Sequence, residues 1–293
     1  MKNQLKTIFL LGVLSAVLIA FGSALGLGYL YGFTALALVM NLGVYFFSDR
    51  LVLRMSGAQE VSPERAPALH RMVAELAHNA HIPKPRVYII AEEQPNAFAT
   101  GRNPQHGVVA VTEGILRLLS ERELRGVLAH EIAHIKNRDI LVATIAAAIA
   151  AAVGYIANAL SFSAFFGGGQ QNDDSEEGSG SSGSGGLLVA LVAPFVAMLV
   201  QMGISRAREY MADEAGARIS GDPEALASAL AKLAQGAEEM PMYAAQPATA
   251  SLFIVNPLTS GSSLLNWFST HPPMGERIRR LREMTRQWQR VAA

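Results

Sequence analysis

The run Ala129-His130-Glu131-Ile132-Ala133-His134 holds the densest chemistry in this chain. Residues four apart on a helix lie one above the other on the same face, so His130 and His134 can point two imidazole nitrogens at one metal ion. Glu131 sits beside that face, where its carboxylate can take a proton from a water held at the metal. Two histidine ligands, an adjacent general base and an open coordination position make up the arrangement of a zinc peptidase.

Two histidines hold zinc incompletely, since a catalytic site commonly uses three protein ligands and a water. The chain has no cysteine, so no disulfide forms and any zinc is held by histidine and carboxylate. Glu209 is the best third ligand. Asp213 follows it by one helical turn, placed to accept a hydrogen bond from the far nitrogen of a ligating histidine and so fix its tautomer. An i, i+4 pair of acids also describes an ordinary solvated helix face, and spacing alone leaves both readings open. His271 opens the segment Thr270-His271-Pro272-Pro273-Met274, where proline rigidity holds it in place. Near a metal it can stabilise an oxyanion; taken alone it is equally a surface histidine. His70, His78, His81 and His106 lack such context and read as surface or helix residues.

The elements that must position these groups are legible around them. Ser120 reads as an N-cap with Glu123 three residues on, a capping box, and Leu124, Val127, Leu128 and Ile132 follow at helical spacing. Upstream, Pro63 to His81 reads as an amphipathic helix with Ser62 as cap and Pro63 at its first position. Residues 86–90, 96–101 and 107–111 read as three short segments of a small sheet, followed by a short helix over 113–119. Downstream, helix is expected from Ser205 through Asp213, from Asp222-Pro223 to about Gln235, and from Met274 to about Gln289, the last one basic. Residues 236–263 read as mostly irregular, with a short apolar run at Leu252 to Val255.

Composition sets the compartment. The 293 residues are 51% hydrophobic and only 16% charged, with a mean hydropathy of +0.25, a balance that suits a membrane protein carrying a soluble domain. A net charge of zero argues against nucleic acid as a partner. No charged residue occurs from Thr7 to Ser48, room for two spans of roughly 18–20 residues turning near Gly26, Gly28 and Gly32; this outruns the apolar core of a cleaved signal peptide. Residues 140–166 and 187–204 are also uncharged, separated by an acidic Gly/Ser-rich loop over 167–186. A buried soluble hairpin is the competing reading of that pair. Lys2, Lys6, Arg50, Arg54, Lys136, Arg138, Arg206 and Arg208 flank the runs, which by the positive-inside rule puts the domain between them in the cytoplasm. The expected architecture is a mainly α membrane protein. About four transmembrane helices fall in hairpins at 1–50 and 140–204, and 51–139 with 205–293 form a cytoplasmic α+β domain carrying a small sheet.

Together, Asn96-Ala97-Phe98-Ala99-Thr100-Gly101, the His130 to His134 motif, Ser205-Arg206 through Glu209 and Asp213, and His271-Pro272-Pro273 with Arg277-Ile278 resemble the HtpX family. These are bacterial membrane-bound zinc metalloproteases related to CaaX prenyl proteases, and the likeness covers the whole chain. It implies a zincin (gluzincin-like) fold and one Zn2+ per chain on His130, His134 and Glu209, with Glu131 as general base. It assigns Asp213 as the acid behind the ligands and puts Asn137 and Asp139 where the family keeps polar residues. Arg277 matches an arginine that holds the last helix near the site, and His271 lies in the family's HPP motif. Asn96, Ala97 and Phe98 match the strand that takes an extended substrate. The implied role is quality control at the bacterial inner membrane, on polypeptide substrates that are mainly misfolded or damaged membrane proteins, with the active site in the cytoplasm and the bilayer as a further partner. Alternatives are a CaaX-type processing protease and a silent membrane scaffold with a structural metal site. Oligomeric state is left open.

Overall fold

The computed structural model describes residues 26–146, 206–239, 252–254 and 272–292, with residues 8, 9, 11, 12, 15, 16, 19 and 23 near the N-terminus. Helix α1, Leu27–Met55, begins after Gly26, whose φ of 119° turns the chain in a way a side chain would oppose. The residues described before it are helical, and Asn41 Nδ2 donates to Ser15 Oγ across the turn at 2.6 Å. Over Gly28–Met55 α1 is long and apolar enough to cross a membrane, with only 6% of its best window buried within the protein. Among the described residues it is the single helix of that kind. Residues 140–146 are helical, but the remainder of the expected second hairpin, its acidic loop included, lies outside the described residues.

After α1 the chain forms β1 (Ala58–Glu60), α2 (Pro67–Ala80), β2 (Arg86–Ile90), β3 (Ala97–Thr100), β4 (Val108–Thr112), α3 (Glu113–Leu118) and α4 (Glu121–Asn137). Then come α5 (Arg206–Ser220), α6 (Pro223–Glu239) and α7 (Met274–Ala292). The four strands form one mixed sheet in the order β1-β2-β4-β3, with β2 and β4 parallel and both outer strands antiparallel to their neighbours. Strand alternation sorts the side chains. Val87, Ala97, Ala99, Val109 and Val111 face the helical layer built on α2, α4, α5 and α6, while Tyr88, Ile90, Phe98, Val108 and Ala110 pack with Val52 and Leu53 at the end of α1.

One expected boundary moves, one strand is new, and one histidine is more buried than its sequence context implies. The helix expected from Pro63 starts at Pro67: the Ser62 carbonyl accepts from the amides of Arg65 and Ala66, closing a turn first, and Pro67 takes the position that needs no N–H donor. Strand β1 was not expected, because three residues are too few to show alternation. His70, read as a surface or helix residue, lies on α2 and faces inward. It is buried, with Nε2 3.0 Å from the Val61 carbonyl and Nδ1 2.9 Å from Lys84 Nζ.

The expected capping box at Ser120 and Glu123 is present, and it does more than start a helix. Glu123 also accepts from Ser228 at 2.7 Å and from Lys232 at 2.8 Å, tying α4 to α6. Burial alone would raise its pKa; the bonds from Lys232, Ser228 and Ser120 outweigh that and hold the carboxyl at about 2. A depressed carboxylate stabilises the fold above its unfolded pKa of about 4.3 and loses that contribution as pH falls toward the folded value. Glu123→Gln, which keeps the capping geometry but not the charge, is expected to cost about 1–3 kcal/mol at neutral pH. The gap from wild type should close between about pH 4.3 and about pH 2. Unfolding of detergent-purified protein across pH checks this; a gap independent of pH contradicts it.

Candidate metal centre

Helix α4 places His130, Glu131 and His134 at the centre of the domain, with His130 1% and Glu131 2% exposed. Helix α5 crosses it at close range. A Cβ on Gly216 would lie 2.8 Å from both the N and Cα of His130, so glycine is what lets the two backbones approach. Glu209, Asp213 and Gly216 follow one another at helical spacing, so the contact at Gly216 turns both acids toward His130 and His134.

The ligand atoms converge. His130 Nε2 and His134 Nε2 are 3.1 Å apart, and Glu209 lies 3.7 Å from the first and 3.6 Å from the second. A tetrahedral zinc with bonds of about 2.0–2.1 Å has ligand–ligand edges of about 3.3–3.4 Å, close to the spacing of the two imidazole nitrogens and of each from one oxygen of the Glu209 carboxylate. Among the described residues these are the three whose donor atoms cluster in this way.

Each imidazole is held from behind. His130 Nδ1 lies 2.9 Å from Asp213 Oδ1, and Asp213 is gripped by Arg277, whose Nε and Nη2 donate to its two oxygens at 2.8 and 2.7 Å. His134 Nδ1 lies 3.2 and 3.1 Å from the two oxygens of Asp139. That contact depends on Arg138, which adopts a left-handed φ of 55° and folds the chain back so that the Asp139 amide donates to the His134 carbonyl. With Asp213 and Asp139 beside the two Nδ1 atoms, the Nε2 atoms face each other and Glu209; Arg277 Nη2 also lies 3.4 Å from His130 Nε2. Arg277 is 0% exposed and also lies 3.5 Å from Glu209. Asn137 is exposed at the end of α4. His271 lies outside the described residues, although Pro272 beside it is buried.

The electrostatics ask for a cation. Four buried carboxylates (Glu131, Asp139, Glu209, Asp213) share the site with two buried guanidiniums (Arg208, Arg277), an excess of acidic groups that a bound cation would offset. Burial would raise the pKa of Asp213, but the charge and hydrogen bonds of Arg277, with His130, hold it at about 2. Burial pushes His130 down against the pull of Asp213. Burial likewise opposes a charge on His134, yet Asp139, Glu209 and Glu131 win and push it up to about 10. Burial and Glu209 push Glu131 up to about 7, against His134 and an N–H bond from Ala99. The donor set, its geometry and its charge all fit a divalent metal.

Arg208 was read as a flanking charge of a membrane run, but it is buried, and its charge acts on Asp139 and Glu209. Nothing in the sequence sets it apart from Arg206, which is exposed on the same helix. Ala97 and Phe98 are buried on β3, the edge strand beside α4, and Asn96 is buried just before it.

A family description, Peptidase family M48, matches residues 63–285, which contain all of these groups. The chain belongs to peptidase family M48. It is 54% identical over 286 residues to a "Protease HtpX homolog" of Syntrophobacter fumaroxidans, covering 97% of this chain and 100% of that one. It is 53% identical over 291 residues to the protein of the same name in Burkholderia thailandensis, covering 98% of each. A solved structure, that of S. mikatae Ste24p, has a TM-score of 0.50 at 18% identity, covering 96% of this chain. This chain spans 65% of that structure's length, and the likeness is one of fold. The M48 chain is thus a metallopeptidase with His130, His134 and Glu209 placed as a metal site.

Two variants test how this M48 site is supported. Arg277→Met, which releases Asp213, is expected to weaken metal binding by about 10–100-fold in a chelator competition while the three ligands remain. Gly216→Ala should weaken it too, because α5 must retreat from His130; it should also lower the unfolding midpoint of the metal-free protein. Unchanged metal affinity in both variants contradicts the positioning described here.

Proposed function

We propose that this M48 peptidase is a membrane-anchored zinc endopeptidase that cleaves misfolded or damaged membrane proteins at the cytoplasmic face. The observation that carries the chemistry is the convergence of His130, His134 and Glu209 with Glu131 beside them. Zinc suits the set: two imidazoles and one carboxylate give a three-ligand site with room for water, whereas a structural site is closed by four protein ligands. The membrane placement is supported by the apolar helix α1 and the uncharged runs of the sequence. The cytoplasmic orientation rests on the flanking lysines and arginines. The site then sits at the bilayer surface, within reach of loops of membrane-embedded substrates.

Zinc, when bound, polarises the scissile carbonyl and lowers the pKa of water toward about 7. This chain's residues do the rest. Glu131 takes a proton from the attacking water and passes it to the leaving amine, its buried carboxyl tuned upward so that it can release what it accepts. Asp213 and Asp139 keep each imidazole in one tautomer. The edge of β3 offers backbone groups to an extended substrate beside Glu131. His271, six residues before the site-facing Arg277, is assigned to the oxyanion. A CaaX-type processing role has no separate observation in its favour.

Two measurements test this reading. Glu131→Gln is expected to lower cleavage of an unfolded polypeptide by about 10²–10⁴-fold while retaining one zinc per chain. A variant that holds zinc and cleaves like wild type removes Glu131 from the chemistry. The pH profile is a second check. The base acts ionised, so kcat/KM should fall as pH drops below about 7, and a bound cation can only move that limb lower. A rate that rises toward acid contradicts the assignment.

A further inference from the structure

Strand β3 is an edge of the sheet, and three of the outward-facing backbone groups of Ala97 and Ala99 have identified partners. The Thr112 amide donates to the Asn96 carbonyl, so Asn96, Phe98 and Thr100 direct their backbone groups to β4, and Ala97 and Ala99 direct theirs to the open side. The Ala97 amide is taken by Asn96 Oδ1 at 3.1 Å, and the Ala99 amide by the Glu131 carboxylate. The Ala97 carbonyl accepts from the amide of Ile254 at 3.0 Å, although 157 residues separate them in sequence.

Residues 252–254 sit on this edge in the manner of a strand. Phe253 packs edge-on against Phe98, ring centroids 5.2 Å apart, and joins the face that holds Ala110; Ile254 joins the opposite face with Ala97 and Ala99. Both side chains are buried, at 3% and 2% exposed. Yet the three residues form no strand of the sheet, and one backbone bond to β3 is present among the described residues.

We infer that Leu252-Phe253-Ile254 is an internal occupant of the substrate edge, bound where an extended substrate must bind and displaced when one enters. The inference rests on the reading of β3 as the substrate strand. It also names the substrate class: an extended segment that offers one N–H to the Ala97 carbonyl, an aromatic ring to Phe98, and an aliphatic side chain to the Ala97–Ala99 face. Proline at the donating position is excluded, since it lacks the N–H. Competition from within the same chain keeps the edge closed to weak or folded segments, because the internal occupant has a high effective concentration.

The test uses full-length, detergent-purified protein carrying Glu131→Gln, with a fluorescein-labelled extended peptide containing a Phe-Ile pair as probe. Ile254→Pro, which removes the donor to Ala97, is expected to bind the probe more tightly, by up to about tenfold, the scale set by one backbone hydrogen bond. Hydrogen exchange at the Ile254 amide gives a second readout that needs no change at 254: saturating peptide should accelerate it. Equal affinity in the Pro variant, or exchange at Ile254 that is unchanged or slowed by peptide, makes the segment a permanent part of the sheet and overturns the inference. Exchange decides where the Pro variant does not fold. If wild-type protein fails to cleave unfolded polypeptide at all, the peptidase reading fails instead; retained cleavage with no displacement counts against the internal occupant alone.

Discussion

Four buried carboxylates and two buried guanidiniums cannot share a low-dielectric interior at low cost without further positive charge. Glu131, Asp139, Glu209 and Asp213 are together on the wall of one site, and Arg208 and Arg277 balance half of them. A divalent cation closes the deficit. Asp139, Glu209 and Glu131 around His134 all favour positive charge at that point, against the cost of burial. Burial, with Glu209 beside it, is what raises the pKa of Glu131 within this cluster.

The same constraint explains the architecture around the site. Arg277 is fully enclosed, so α7 must dock against α5 for its charge to meet Asp213, and Asp213 must in turn lie against His130 on α4. Three helices remote in sequence are thereby held by one chain of contacts, Arg277 to Asp213 to His130. Gly216 permits the close crossing, and Gly126 does the same where α6 meets α4, since a Cβ there would lie 2.7 Å from the Leu226 backbone. The sheet enters from the other side, where the backbone of Ala99 on its edge strand acts on Glu131.

Much of this was legible in the residues, for identifiable reasons. A ligand pair at i, i+4 and an acid pair at i, i+4 carry their geometry with them, because helical periodicity fixes which side chains align. The capping box at Ser120 carried its own start signal too, but its tie from Glu123 to Lys232 on α6 did not, since that contact joins helices that only the fold brings together. The burial of Arg208 and His70 was hidden for the same reason: both look like solvent residues until their partners Asp139 and Val61 are placed. The start of α2 was misplaced by a competition between two prolines four residues apart, either of which can open a helix; a turn closed by the Ser62 carbonyl decided for Pro67. The short β1 had too few residues to show a period. The seat of Ile254 on Ala97 is a non-local pairing of one residue with one residue, which leaves no pattern to read.

The central claim is that three side chains on two crossing helices, two imidazoles and one carboxylate, hold one zinc and leave it an open position. Zinc K-edge X-ray absorption on the full-length protein in detergent measures this directly. The account predicts nitrogen and oxygen ligands alone, outer-shell scattering from two imidazoles, and a carboxylate and a water completing the set. Scattering that requires three or more imidazoles, or a site closed by four protein ligands, would contradict it.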